Sequence, residues 1–67
     1  MDPGEMLTPE ELAQRLKLNV KTVRRMLSTG ELPGIKIGRA WRTPARDLER
    51  FLEEQRKKEA ARGSLAA

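Results

Sequence analysis

The 67-residue sequence contains no cysteine and no histidine, and its only aromatic residues are Trp41 and Phe51. Without cysteine there is neither a disulfide framework nor a thiol nucleophile, and without histidine as well every standard zinc site is lost. Imidazole acid–base chemistry goes with them, Ser28 and Ser64 have no base-and-orienter set nearby, and no glycine-rich phosphate loop is present. No apolar run approaches the roughly 20 residues needed to span a bilayer. The opening Met-Asp-Pro-Gly-Glu lacks the apolar core of a signal or transit peptide, so a soluble, cytoplasmic protein is expected. A chain this short buries only about 60% of its unfolded surface and gains a few kcal/mol of net stability, which leaves no room for a large enclosed active site. An enzyme, a metal, a cofactor and a small-molecule ligand are therefore not expected.

What the sequence has in quantity is charge, unevenly placed. Residues 1–13 carry Asp2, Glu5, Glu10 and Glu11 with no base, a net −4, and residues 47–67 balance five acids with five bases. Residues 14–46 hold nine bases against Glu31 alone, a net +8, so the overall +4 averages an acidic leader and a strongly basic middle. Such a segment attracts polyanions, nucleic acid first among them.

Three helices are marked by their ends. Thr8-Pro9-Glu10-Glu11 is a capping box with proline at the first helical position, Leu7 and Leu12 fit the hydrophobic staple around it, and the apolar stripe runs to Leu16 or Lys17. Asn19 caps a second helix with Leu18 and Val23 in staple positions, and Gly30 stops it. So short a connection makes the pair a helix-turn-helix candidate. After the loop residues Glu31 to Gly34, Ile35-Lys36-Ile37 and Trp41-Arg42-Thr43 read as a β-hairpin. A three-residue loop centred on Arg39 would set Ile37 opposite Trp41 and Lys36 opposite Arg42, with apolar side chains on one face and bases on the other. Thr43-Pro44 repeats the cap-then-proline start for a third helix, which buries Leu48, Phe51 and Leu52. Beyond Gln55 the stripe ends; Glu53 with Lys57 and Glu54 with Lys58 suit a solvated extension, and Ser64 to Ala67 should be disordered.

The second helix separates its residues sharply. At about 100° per residue, Val20, Val23, Met26 and Leu27 share one side. Arg25 and Lys21 lie within about 30° of the opposite direction, with Ser28, Arg24 and Thr22 on the shoulders. That cationic, hydrogen-bonding ridge suits a DNA major groove, where Arg and Lys donate to guanine O6 and N7. Lys21, Arg24 and Arg25 are the candidate base readers. Thr22, Ser28, Lys36, Arg39, Arg42 and Arg46 are candidates for the backbone or the minor groove. Lys21 and Arg46 lie in first helical turns, where a base opposes the dipole by a few tenths to about 1 kcal/mol, and phosphate binding is the economical reason to place them there. Trp41 is better used as a core piece joining hairpin to helices than as a stacking platform for unpaired bases.

Leu7-Thr8-Pro9-Glu10-Glu11-Leu12-Ala13, Val20 to Gly30, Leu32-Pro33, Ile35 to Arg39, Trp41-Arg42, Pro44 and Asp47-Leu48 together resemble the excisionase-type helix-turn-helix family, relatives of the MerR DNA-binding head. The resemblance spans residues 6–52. It implies a mainly α, winged-helix-like fold with a two-stranded hairpin wing and a third helix, and a bacterial, phage or mobile-element origin. It implies a sequence-specific double-stranded DNA-binding protein, a small transcriptional regulator or an excisionase. Met26 stands where that family commonly has an aromatic, and Thr43 where it commonly has an apolar residue, trading burial for a cap. Full-length MerR regulators also carry a long dimerisation helix and an effector domain; 67 residues hold neither, so ligand sensing is not implied. The expected organisation is an acidic leader at 1–6, the DNA-binding domain at 7–55, and a polar helix extension with a disordered tail at 56–67. One recognition helix reads few base pairs, so self-association on repeated half-sites, or recruitment by a recombinase or transcription partner, is expected. The competing reading is an RNA-binding or protein-interaction module using the same basic face. Against it stand the scarcity of exposed aromatics and the lack of a spare apolar patch.

Overall fold

The computed structural model describes the backbone of residues 4–66 and the side chains of residues 4–61. Elements follow in the order β1 (Met6–Leu7), α1 (Pro9–Leu16), α2 (Val20–Thr29), β2 (Ile35–Ile37), β3 (Ala40–Pro44) and α3 (Ala45–Ala66). The three strands form an antiparallel sheet in the order β1-β3-β2. This is the mainly helical, winged helix-turn-helix architecture expected from the sequence.

Local chemistry sets both ends of the first two helices. The Thr8 side chain accepts from the Glu11 amide at 3.1 Å while the Glu11 carboxylate accepts from the Thr8 amide at 2.8 Å, closing the capping box. The Asn19 carbonyl oxygen accepts from the Lys21 amide at 2.8 Å, and Gly30 ends α2 with φ +86. Between the helices Lys17 takes the left-handed conformation (φ +56), its amide and that of Leu18 both donating to the Ala13 carbonyl. The staple around α1 forms, with Leu7 and Leu12 both buried. Of the expected staple pair at α2, Val23 is buried but Leu18 stays 41% exposed.

Leu7, Leu12, Val23, Leu27, Leu32 and Leu48 form the core, with Trp41, Met26 and Phe51 packed against it. Trp41 is thus half-buried against the core. Leu52, expected on the buried face of α3, is 43% exposed.

Five local expectations change. Met6, assigned to the leader, pairs with Pro44, and Leu7 pairs with Thr43, so the chain before α1 is a sheet strand; residues 1–3 lie outside the described residues. Thr43 is no helix cap. It lies in β3, fully buried, and its hydroxyl donates to the Pro33 carbonyl at 2.7 Å, which is how a polar side chain is accommodated at a core position. The α3 backbone continues through Ser64–Ala66, where composition suggested disorder, and Ala67 is outside the described residues. Within α3, Glu53 pairs with Arg56 one turn on, and Lys57 adds only its field.

The fifth concerns the hairpin. Its pairs are Ile35 with Arg42, Lys36 with Trp41 and Ile37 with Ala40, leaving a two-residue loop of Gly38 and Arg39. Gly38, with φ +64, is at the first loop position, the placement favoured by two-residue II′ turns. Turn chemistry therefore outweighs the sorting of apolar and basic side chains, and a one-residue slip exchanges the faces. Ile35 and Ile37 are 48% and 58% exposed on the Arg42 side, and Lys36 shares the Trp41 side.

Candidate nucleic-acid interface

The caps and the buried side of α2 fix what its other side presents. Val23 and Leu27 are buried against α1 and the loop after α2, so Lys21, Arg24, Arg25 and Ser28 are all exposed and Thr22 is half-buried. Lys21 and Arg25 have no carboxylate within ion-pair distance among the described residues. No acid occupies the first turn of α2, so the helix-terminal amides and Lys21 together form an electropositive end. The Ser28 hydroxyl donates back to the Arg25 carbonyl at 2.8 Å, leaving its oxygen to accept.

Arg24 behaves differently. Its Nη2 lies 2.5 Å from Oε2 of Glu10 on α1, both side chains more than half exposed. The Glu10 carboxyl is held below its ordinary value first by hydrogen bonding to its own backbone amide, then by Arg24, and further by the field of Arg42. The shoulder of α2 is thus tied to α1 through one carboxylate, which also feels the more distant charge of Arg42 in the middle of β3. By its position alone Glu10 is one of two acids in the first turn of α1. It is Glu11 that closes the cap, and Glu10 is left to reach a residue 14 positions away. Nothing local in the sequence signals that contact. A second pairing of the same kind joins Glu5 to Arg15 at 3.1 Å.

The hairpin bases are dispersed rather than gathered on one outward face. Lys36 Nζ sits 5.8 Å from the centroid of the Trp41 ring. Arg42 is half-buried, its Nη1 donating to the Trp41 carbonyl at 2.7 Å. Arg39 stands exposed in the loop, and Arg46 is exposed in the first turn of α3. Among the described residues no group of three or more potential ligands could hold a metal ion, and no helix is long and apolar enough to cross a membrane.

Comparison with known proteins agrees with this geometry. Two Mycobacterium tuberculosis proteins, from strains CDC 1551 and H37Rv and each named for DNA binding, are 35% identical to the chain over 49 residues, covering 73% of it. The chain spans 63% of the length of each. A Thermus thermophilus protein named as the plasmid-partitioning protein ParA is 39% identical over 41 residues, covering 61% of this chain and 13% of its own. No solved structure gives a significant match. The family model described as a helix-turn-helix domain matches residues 6–56, from β1 well into α3, and the chain belongs to that family.

Proposed function

We propose that this protein binds double-stranded DNA sequence-specifically, as a small transcriptional regulator or an excisionase of the kind related to MerR heads. In this reading α2 enters the major groove with Lys21, Arg24 and Arg25 at base edges. Thr22, Ser28, Lys36, Arg39, Arg42 and Arg46 hold the backbone or, through the hairpin, the minor groove. The observation that carries it is the division of α2, whose Val23 and Leu27 are buried while Lys21 and Arg25 stand exposed on the other side with no ion-pair partner among the described residues. The names of the mycobacterial relatives support the same reading. With one such helix per chain, tight binding calls for repeated half-sites or a protein partner.

Selection from a random duplex library, followed by competition with single-stranded RNA and an acidic polypeptide, tests this directly. The selected duplex should win, with a log–log salt slope near −5 if about five or six phosphates are neutralised. Arg25→Ala should cost about 1–3 kcal/mol on that duplex and less on unrelated DNA. No enriched sequence, or equal competition by RNA or polypeptide, would overturn the proposal. DNA bending at clustered sites beside a recombinase gene would select the excisionase role, and occupancy over a promoter the regulatory one.

A further inference from the structure

The pairing of Glu10 with Arg24 has no structural task that another residue does not already perform. The α1 cap is complete with Thr8 and Glu11. The core beneath the two helices is closed by Leu12, Val23 and Leu27. An exposed ion pair of this kind contributes little to folding. Yet it places a carboxylate against a candidate base reader, within the field of Arg42 on the hairpin.

We propose that Glu10 is a specificity-determining positioning residue, holding Arg24 so that it reads a base and does not serve as a general phosphate clamp. The inference rests on the DNA-binding reading given above. A guanidinium has five donors in a planar fork, so one Nη given to Glu10 leaves other edges for a guanine. The same carboxylate repels any phosphate that would approach Arg24 from the α1 side. On unrelated DNA, where contacts are almost all to phosphate, Arg24 is thus withheld from the count of neutralised charges. At the cognate site it is used, already oriented. Glu10 therefore suppresses non-specific binding more than specific binding, the form of discrimination in which a repulsive element rejects the wrong partner.

The experiment compares Glu10→Gln with the natural protein on the library-selected duplex and on an unrelated duplex of equal length. On the unrelated duplex the salt slope should steepen by about 0.9, which at 0.1 M salt is an affinity about eightfold higher relative to a 1 M reference. On the selected duplex affinity should rise less or fall, so the ratio of the two should drop by about fivefold or more. Glu54→Gln removes the same charge from α3 and should leave slope and ratio unchanged. In an Arg24→Ala background the effect of Glu10→Gln should shrink to about twofold or less. Equal gains on both duplexes, equal effects of Glu10→Gln and Glu54→Gln, or persistence without Arg24 would each overturn the inference. Circular dichroism on every variant separates these outcomes from unfolding. Failure of the library to enrich any sequence would count against the DNA-reading proposal itself, whereas successful enrichment with an inert Glu10→Gln would count against this inference alone.

Discussion

Gly34 is the position where the least chemical change should do the most damage. A methyl group there would come within 2.6 Å of Leu27 Cδ2, 3.2 Å of Thr43 Oγ1 and 3.4 Å of the Trp41 ring. Leu27 is only 3% exposed and belongs to the core, so its methyl cannot swing away without displacing neighbours. Overpacking of this kind costs about 1–3 kcal/mol. Replacing glycine gives back about 0.4–1 kcal/mol by stiffening the unfolded chain. The net for Gly34→Ala is thus a loss of about 1–2 kcal/mol, a large share of the stability of a domain this small. At about 4–8 °C per kcal/mol, the melting temperature should fall by roughly 5–15 °C. Urea denaturation and thermal melts followed by far-ultraviolet circular dichroism read this out. The decisive measurement is a double-mutant cycle, because Leu27→Val removes a methylene from the crowded side and should make Gly34→Ala less costly. A neutral or stabilising Gly34→Ala, or a cost independent of Leu27, would refute the claim that close approach of the loop to α2 fixes glycine here.

Three further perturbations follow from the same geometry. Thr43→Val keeps the shape but removes the donor to the Pro33 carbonyl. Loss of that bond is offset in part by one more buried methyl group, and a net destabilisation of about 0.5–1 kcal/mol should appear in urea denaturation. Lys17→Gly, at a left-handed backbone position, should raise stability by about 0.5–1 kcal/mol in the same assay. Glu10 has a depressed folded pKa, so its contribution is present above the unfolded value of 4.5 and is lost as pH falls through the folded one. Glu10→Gln should therefore show a shallower loss of stability than the natural protein when melts are taken from pH 5 downward.

The parts of this fold that were legible in the sequence are those decided within one helical turn. Thr8 with Glu11, Asn19 and Gly30 each act through hydrogen bonds or dihedrals of their immediate neighbours, and α1 begins, and α2 begins and ends, where those residues place them. The sheet was harder because its determinants are remote or compete. Strand β1 is two residues long and exists only through pairing with Thr43 and Pro44, and no periodicity can announce it. In the hairpin, a glycine at the first loop position set a register that apolar matching argued against. The cationic side of α2 was legible because burial of Val23 and Leu27 leaves no other side for Lys21 and Arg25. The engagement of Arg24 was not, since an exposed acid on one helix carries no mark of the arginine it will meet on another.

The pairing of Leu7 with Thr43 also orders events in time. The two helices and the hairpin can form from neighbouring residues, but the three-stranded sheet requires the two ends of most of the domain to meet, and that loop-closure entropy is spent before the contact rewards it. During synthesis the helix pair has emerged well before Thr43 has, so β1 waits without a partner until β3 arrives. On this argument the pairing of β1 with β3 should be the last to close and the first to open. Substitutions at Leu7 should chiefly speed unfolding while those at Val23 slow folding, a division that stopped-flow measurement of the two variants would display.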